Sequence, residues 1–226
     1  MDLKIIYRDE YLIAIDKPHG LLVHRSKYAR DAKVFALQEL RNQIDQHVYP
    51  CHRIDRKTSG VLLFALDENT NSLMQQQFAG TGVEKQYHAI VRGHTPDKGT
   101  IDYALINEQG KQQDALTHYV TLKRFEIDVP LGKFNTSRYS LVEVYPQTGR
   151  MHQIRKHFAH IFHPIVGDRP HGCNKQNKLF KERWNMISMM LHARKLEFMH
   201  PILKKTICLS ATYSEEFMET MEILNS

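Results

Sequence analysis

The chain has 226 residues, 42% of them hydrophobic and 25% charged, with a formal charge of +6 at pH 7. That length suffices for one large domain or two small ones with a buried core, and the composition excludes a disordered, collagenous or low-complexity chain. The longest uninterrupted apolar run, Val61 to Leu66, is far too short to cross a bilayer, and the first residues lack the basic-then-apolar pattern of a signal peptide. Membrane and secreted classes are therefore disfavoured. Cys51, Cys173 and Cys208 are widely spaced, odd in number and without a CxxC. This argues against a disulfide framework or a thiolate zinc site and fits a reducing cytoplasm.

In chain order, Leu3 to Tyr7 and Tyr11 to Ile15 read as short strands around the acidic turn Arg8-Asp9-Glu10. Lys17-Pro18-His19-Gly20 breaks the second strand. Asp31 is placed to cap a helix with Val34, Leu37, Leu40 and Ile44 on its apolar face. Val61 to Leu66, bounded by Ser59-Gly60 and Asp67, reads as a buried strand. A helix follows over Asn69 to Phe78, ending at Gly80. Lys85 to Val91 reads as a strand with Tyr87, Ala89 and Val91 on one face. Further strands are predicted at 115–122, 138–145, 190–198 and 206–210. A helix opens after Thr148-Gly149-Arg150 and runs to about Ile161, and the tail closes as an amphipathic helix with Phe217, Met221 and Leu224 on one side. Strands outnumber helices without regular alternation, which predicts an α+β fold with a largely antiparallel sheet flanked by helices.

The charge is uneven. Residues 213–226 carry four glutamates and no base, so the preceding 212 residues carry +10. Within 169–183, Arg169, Lys175, Lys178, Lys181 and Arg183 face only Glu182. Such an imbalance suits a polyanionic partner, RNA or DNA, as well as a merely solvated basic surface.

Three stretches carry chemistry. In His52-Arg53-Ile54-Asp55-Arg56-Lys57-Thr58-Ser59-Gly60, one carboxylate lies among three cations just before the buried strand. That suits an aspartate kept ionised on a loop held by a rigid strand, the alternative being a surface loop with casual ion pairs. In Thr148 to His157, helical spacing places Met151, Ile154 and Phe158 on one side and Arg155 between the inner and outer faces. There it can reach inward as counter-ion to a buried carboxylate, or lie on an ordinary basic face. In Lys85 to Gly93, Tyr87 is either a core tyrosine or a ring that stacks on a flat ligand. His157, His160 and His163 drift around a helix that turns about 100° per residue, and no HExxH supports a metal. No GxGxxG, Walker or GxSxG sequence occurs.

His52-Arg53-Ile54-Asp55-x-x-Thr58-Ser59-Gly60 resembles the signature of the RluA-type pseudouridine synthases, with Ile54 in place of the usual leucine. Lys17-Pro18-x-Gly20, Lys85-x-Tyr87-x-Ala89-x-Val91-x-Gly93, Thr148-Gly149-Arg150-x-His152-Gln153-Ile154-Arg155, His163 to Asp168 and Leu191-His192-Ala193 follow the family's order, so the resemblance spans about residues 4–212. It implies the pseudouridine synthase α+β fold as a single catalytic domain over 1–226, with an RNA-binding cleft and no accessory RNA-binding domain before it. The implied reaction isomerises a uridine within RNA to pseudouridine, with no cofactor and no metal, and a monomer is expected.

By position, Asp55 matches the catalytic aspartate, which attacks the ribose or assists glycal formation. Arg155 matches the arginine that pairs with it, and Tyr87 the ring on the flipped uracil. Arg53 matches the arginine that fills the gap left by the base, and Ile154 and Leu191 are implied pocket walls. His52, with Thr58 and Ser59, shapes the Asp55 loop, and His52 and Arg150 complete the substrate-binding set. Arg53 and Arg155 are expected to face the Asp55 pocket and not water. Leu22 to Ser26, Thr136 to Glu143 and Gly167 to Asn177 lean towards a member acting on tRNA at position 65, in the acceptor/T-arm stem. A ribosomal RNA enzyme of the same chemistry is the rival, followed by a non-catalytic RNA-binding or chaperone protein. A glycosidase would need a second carboxylate, and only Asp55 is evident.

Overall fold

The computed structural model describes residues 1–24 and 33–226; Asp31, expected to cap a helix, and Arg25-Ser26 lie outside the described residues. The chain divides into two units, Met1–Lys85 with Ala193–Tyr213, and Gln86–His192 with Ser214–Ser226.

In the first unit, β1 (Lys4–Arg8) and β2 (Leu12–Lys17) pair antiparallel around a turn in which Asp9 Oδ1 accepts the N–H groups of Tyr11 and Leu12. Then come α1 (Ala36–Ile44), the two-residue β3 (Tyr49–Pro50), β4 (Ser59–Ala65) and α2 (Glu68–Ala79). Strand β4 pairs antiparallel with β2 and β3 and is buried at every residue. Leu62 and Phe64 pack with Ile13, Ile15 and Leu40 on one face. Val61, Leu63 and Ala65 pack with Leu12, Ala14 and Met74 on the other. Burial on both faces explains why the sequence there is a continuous apolar run and not an alternation. Each such side chain contributes about 1.5–3 kcal/mol.

Helix α1 departs from expectation. Its N-cap is Phe35, which makes no side-chain cap bond, and Val34 is exposed ahead of the helix. Leu22 and Val23 carbonyls instead accept the N–H groups of Ala36 and Leu37, so backbone does the work that a capping side chain would otherwise do. Helix α2 follows expectation: Asp67 accepts the Thr70 N–H at 2.8 Å, and Gly80 is the C-cap.

The second unit begins within β5 (Val83–Arg92) and continues through β6 (Lys98–Asp102), the hairpin β7 (Leu105–Ile106) and β8 (Gln112–Gln113), β9 (Leu116–Ile127) and β10 (Ser137–Pro146). Strands β5, β10, β9 and β6 lie in that order, all antiparallel. Helix α3 (Gln153–His160) starts later than the sequence predicts. His152 takes a left-handed φ of 56°, so Met151 lies before the helix and is exposed, and the inward side is Ile154 and Phe158. Strand β6, the β7–β8 hairpin and α4 (Asn174–Trp184) were not predicted. Only Gln176 and Phe180 of α4 are buried, too few to show as a periodic apolar face.

The chain returns to the first unit within β11 (Leu191–Met199) and pairs it antiparallel with β12 (Thr206–Ser210). It closes in the second unit with α5 (Glu215–Asn225), which is capped by Ser214 and buries Phe217, Thr220 and Leu224. Mainly antiparallel strands with helices packed on them make this an α+β fold, as predicted. Among the described residues, no helix is long and apolar enough to cross a membrane.

Candidate active site

In the first unit, the Asp55 loop is held from three sides. At its start, the His52 ring stacks on Phe78 at 4.6 Å, and its Nε2 accepts the Leu63 N–H at 3.1 Å. Burial, helped by the Lys85 charge, pushes His52 down to about 3. A neutral imidazole is needed to accept that bond. Because the folded value lies below the ordinary 6.5, the stability tied to neutral His52 is full above about pH 6.5 and is lost as pH falls towards 3. Over that window the wild type is expected to lose up to about 1.4 kcal/mol per pH unit more than His52→Gln, read from denaturant midpoints across the pH range. Parallel pH profiles would overturn this reading.

At the loop's end stands Gly60, with φ of +108° and no room for a side chain: a Cβ there would lie 2.2 Å from the Ala193 carbonyl oxygen. On the flank, Lys17 is fully buried and donates to the carbonyls of Pro18, Leu21 and Arg56 at 2.9, 2.8 and 3.2 Å. Those bonds tie the Lys17–Gly20 turn to the Asp55 loop. Gly20 and Arg56 tie it again: the Gly20 N–H donates to the Arg56 carbonyl at 2.9 Å, and Arg56 Nε to the Gly20 carbonyl at 3.0 Å. Desolvation pushes Lys17 down to about 7, with the Asp55 carboxylate opposing the shift. Within the loop, the Thr58 N–H donates to the Asp55 carbonyl at 3.0 Å. Asp55 itself is half-buried. Arg53 is exposed, contrary to the expectation that it faces a pocket and not water.

In the second unit, Tyr87 lies on β5 opposite Val144 of β10 and is half-buried. Ile154 and Leu191 are both buried. Arg155 is 5% exposed, so it does turn inward, and the buried carboxylate it holds there is Asp168. Its Nε donates to Asp168 Oδ2 and its Nη2 to Oδ1, both at 2.8 Å, a bidentate pair with Asp168 1% exposed.

The 165–168 segment is itself fixed. Val166 donates to the Ile90 carbonyl, and Met190 to the Val166 carbonyl. Gly167 has φ of +79°, and a Cβ there would lie 1.9 Å from the Ser188 carbonyl oxygen. Asn177 of α4 accepts the Gly167 N–H at 2.9 Å and donates to the Asp168 carbonyl at 2.7 Å. The family-like block His163 to Asp168 contains this residue, but nothing in the sequence pattern assigns it as the partner of Arg155. A signal was present, since Asp168 is the only acid between Glu143 and Glu182.

Before α3, Gln153 Oε1 accepts from the Thr148 hydroxyl and the Arg150 N–H, while its Nε2 donates to the Leu116 carbonyl and the Thr117 hydroxyl. This pins the Thr148–Arg150 loop, and Arg150 Nε donates to the Asp114 carbonyl. His152 and His171 share a 3.0 Å bond between Nδ1 and Nε2. The three spaced histidines diverge: His157 donates to the Tyr103 carbonyl, His160 stacks on the Tyr103 ring, and His163 donates to the Arg92 carbonyl. Among the described residues, no three His, Cys, Asp or Glu side chains are grouped to hold a metal ion.

The chain belongs to the RNA pseudouridylate synthase family, whose sequence model matches residues 11–160. Its curated relatives include the tRNA pseudouridine synthase C of Vibrio vulnificus, 44% identical over 231 residues, covering 97% of this chain and 94% of the relative. The Haemophilus ducreyi protein of that name is 47% identical over 227 residues, covering 96% and 93%. Among solved structures, Human RNA Pseudouridylate Synthase Domain Containing 4 is similar with a TM-score of 0.73 at 26% identity, covering 98% of this chain and 93% of that one. Domain Containing 1 shares the fold, with a TM-score of 0.74 at 24% identity, covering 100% and 95%.

Proposed function

We propose that this pseudouridine synthase acts on tRNA and isomerises the uridine at position 65, in the acceptor/T-arm stem. The observation that carries this reading is identity of 44–47% along nearly the whole chain to relatives named tRNA pseudouridine synthase C. In the proposed reaction, the N-glycosidic bond breaks, the uracil turns over, and a bond forms between its C5 and the ribose C1′. The C5 proton is lost and N1 regains one, so no oxidant or metal is called for. Asp55 is the catalytic aspartate, attacking the ribose or assisting glycal formation. Tyr87 stacks on the uracil, and Arg155, besides holding Asp168, serves Asp55 as counter-ion. Ile154 and Leu191 wall the base, and Arg150 and His52 complete the binding set. Arg53 fills the place of the extruded base; its exposure leaves it available to enter a duplex. Extrusion costs a few kcal/mol, which phosphate contacts repay in part. The two units serve as one catalytic domain, in a cytoplasmic monomer.

The test is incubation with unmodified tRNA and ribosomal RNA transcripts, with pseudouridine mapped by carbodiimide-stop sequencing. A stop at tRNA position 65 is the expected result. Stops on ribosomal RNA alone would move the enzyme to the rival substrate, and none on either would leave only RNA binding.

A further inference from the structure

Helix α4 packs inward through Gln176, which accepts from the Tyr139 hydroxyl, and through Phe180, whose ring meets Tyr139 edge-on. Its outer side carries Lys178 and Lys181, three residues apart and so neighbours on the helix surface. Arg169 joins them from the loop after Asp168. The three cations, all exposed, line one groove of about 410 Å³ whose floor includes the apolar Met186 and Ile187. The one acid on the groove, Glu182, reaches Lys178 at 3.7 Å with both side chains open to solvent, an ion pair worth little that an incoming anion can replace. A basic rim over an apolar floor matches a sugar–phosphate backbone, whose ribose has an apolar face and whose phosphates demand charge.

We propose that this groove is a docking surface for the phosphate backbone of the RNA substrate, away from the target uridine; the proposal rests on reading the chain as an enzyme of structured RNA. The groove is not loosely attached. Asn177 bonds both Gly167 and Asp168 from the middle of α4, and Asp168 holds Arg155. Backbone gripped at Arg169, Lys178 and Lys181 is thereby set at a fixed reach from Arg155. The groove acts as a ruler that admits RNA with a helical segment at the right distance and disfavours a short single strand.

The test compares the full chain with Arg169→Gln/Lys178→Gln/Lys181→Gln in binding to a tRNA transcript and to a short RNA duplex, across a salt series. All three side chains are exposed, and equal melting temperatures confirm folding. Affinity for both RNAs is expected to fall roughly 10-fold or more near physiological salt, and the slope of log Kd against log salt to shrink by about 2–3. Neutralising the exposed Lys204 and Lys205 of the first unit serves as control. Unchanged RNA affinity, an equal loss per charge in the control, or loss confined to binding of anionic lipid vesicles would each overturn the groove. Failure of the tRNA reaction would show separately, as wild type that forms no pseudouridine yet still gives this binding difference.

Discussion

Asp55→Asn is expected to abolish pseudouridine formation while leaving folding and tRNA binding close to wild type. The substitution keeps the size of the side chain and removes its capacity to act as nucleophile or base. Much of what holds the loop is independent of the carboxylate. Its closing bond runs from Thr58 to the main-chain carbonyl of residue 55, its flank is clamped by Lys17, and its ends are set by His52 and Gly60. A matching melting temperature and RNA affinity with turnover below roughly one per cent of wild type is the predicted pattern. Turnover above that level in the folded variant would remove Asp55 from the chemistry.

The second large effect is on stability. Arg155→Met leaves Asp168 as an uncompensated carboxylate in a place that is 1% exposed, and should cost about 3–5 kcal/mol in denaturant unfolding. Asp168→Leu should also destabilise, by removing the bidentate partner of the Arg155 guanidinium. The double variant should be more stable than either single, because replacing both partners of a buried pair with apolar groups removes the desolvation cost along with the attraction. Activity is predicted to stay lost in the double variant, since Arg155 is proposed to serve Asp55 as well. Strictly additive losses, or single variants within about 1 kcal/mol of wild type, would show that the two groups are not an energetic unit.

The parts of this molecule legible in the sequence share a property: their determinants are local. The strand at Val61–Leu66, the helix capped by Asp67 and the Asp55 block each declare themselves within ten residues. Arg155 was legible as an inward-facing cation because helix geometry alone places it between faces. Its partner Asp168 was not, because it lies 13 positions further along, past the helix end and a stretch of irregular chain. The start of α1 was misread for a related reason: its orphan N–H groups go to the backbone of Leu22 and Val23, and backbone leaves no mark in residue types. Helix α4 is not legible because it buries only two side chains and is otherwise held by polar bonds from Asn177, which leave no periodic apolar signature. Lys17 reads as a surface cation in any composition scheme, and its burial is explained by the three carbonyls around it and the Asp55 charge.

The path of the chain between its units bears on how the enzyme is made. Residues 193–213 complete the first unit and residues 214–226 the second, so neither is built from one continuous stretch. On a ribosome, the first 85 residues emerge with β4 lacking the apolar cover of Phe198 and Leu209, and the second unit waits for Phe217 and Leu224. The first half cannot be finished before residues 193–213 are made, nor the second before the last helix, and until then the partly made protein leaves apolar surface open to chaperones. A nascent chain stalled before residue 193 should therefore be protease-sensitive throughout, with neither half surviving as a resistant fragment. Activity, in that case, switches on once and late, only after the chain has passed Leu224.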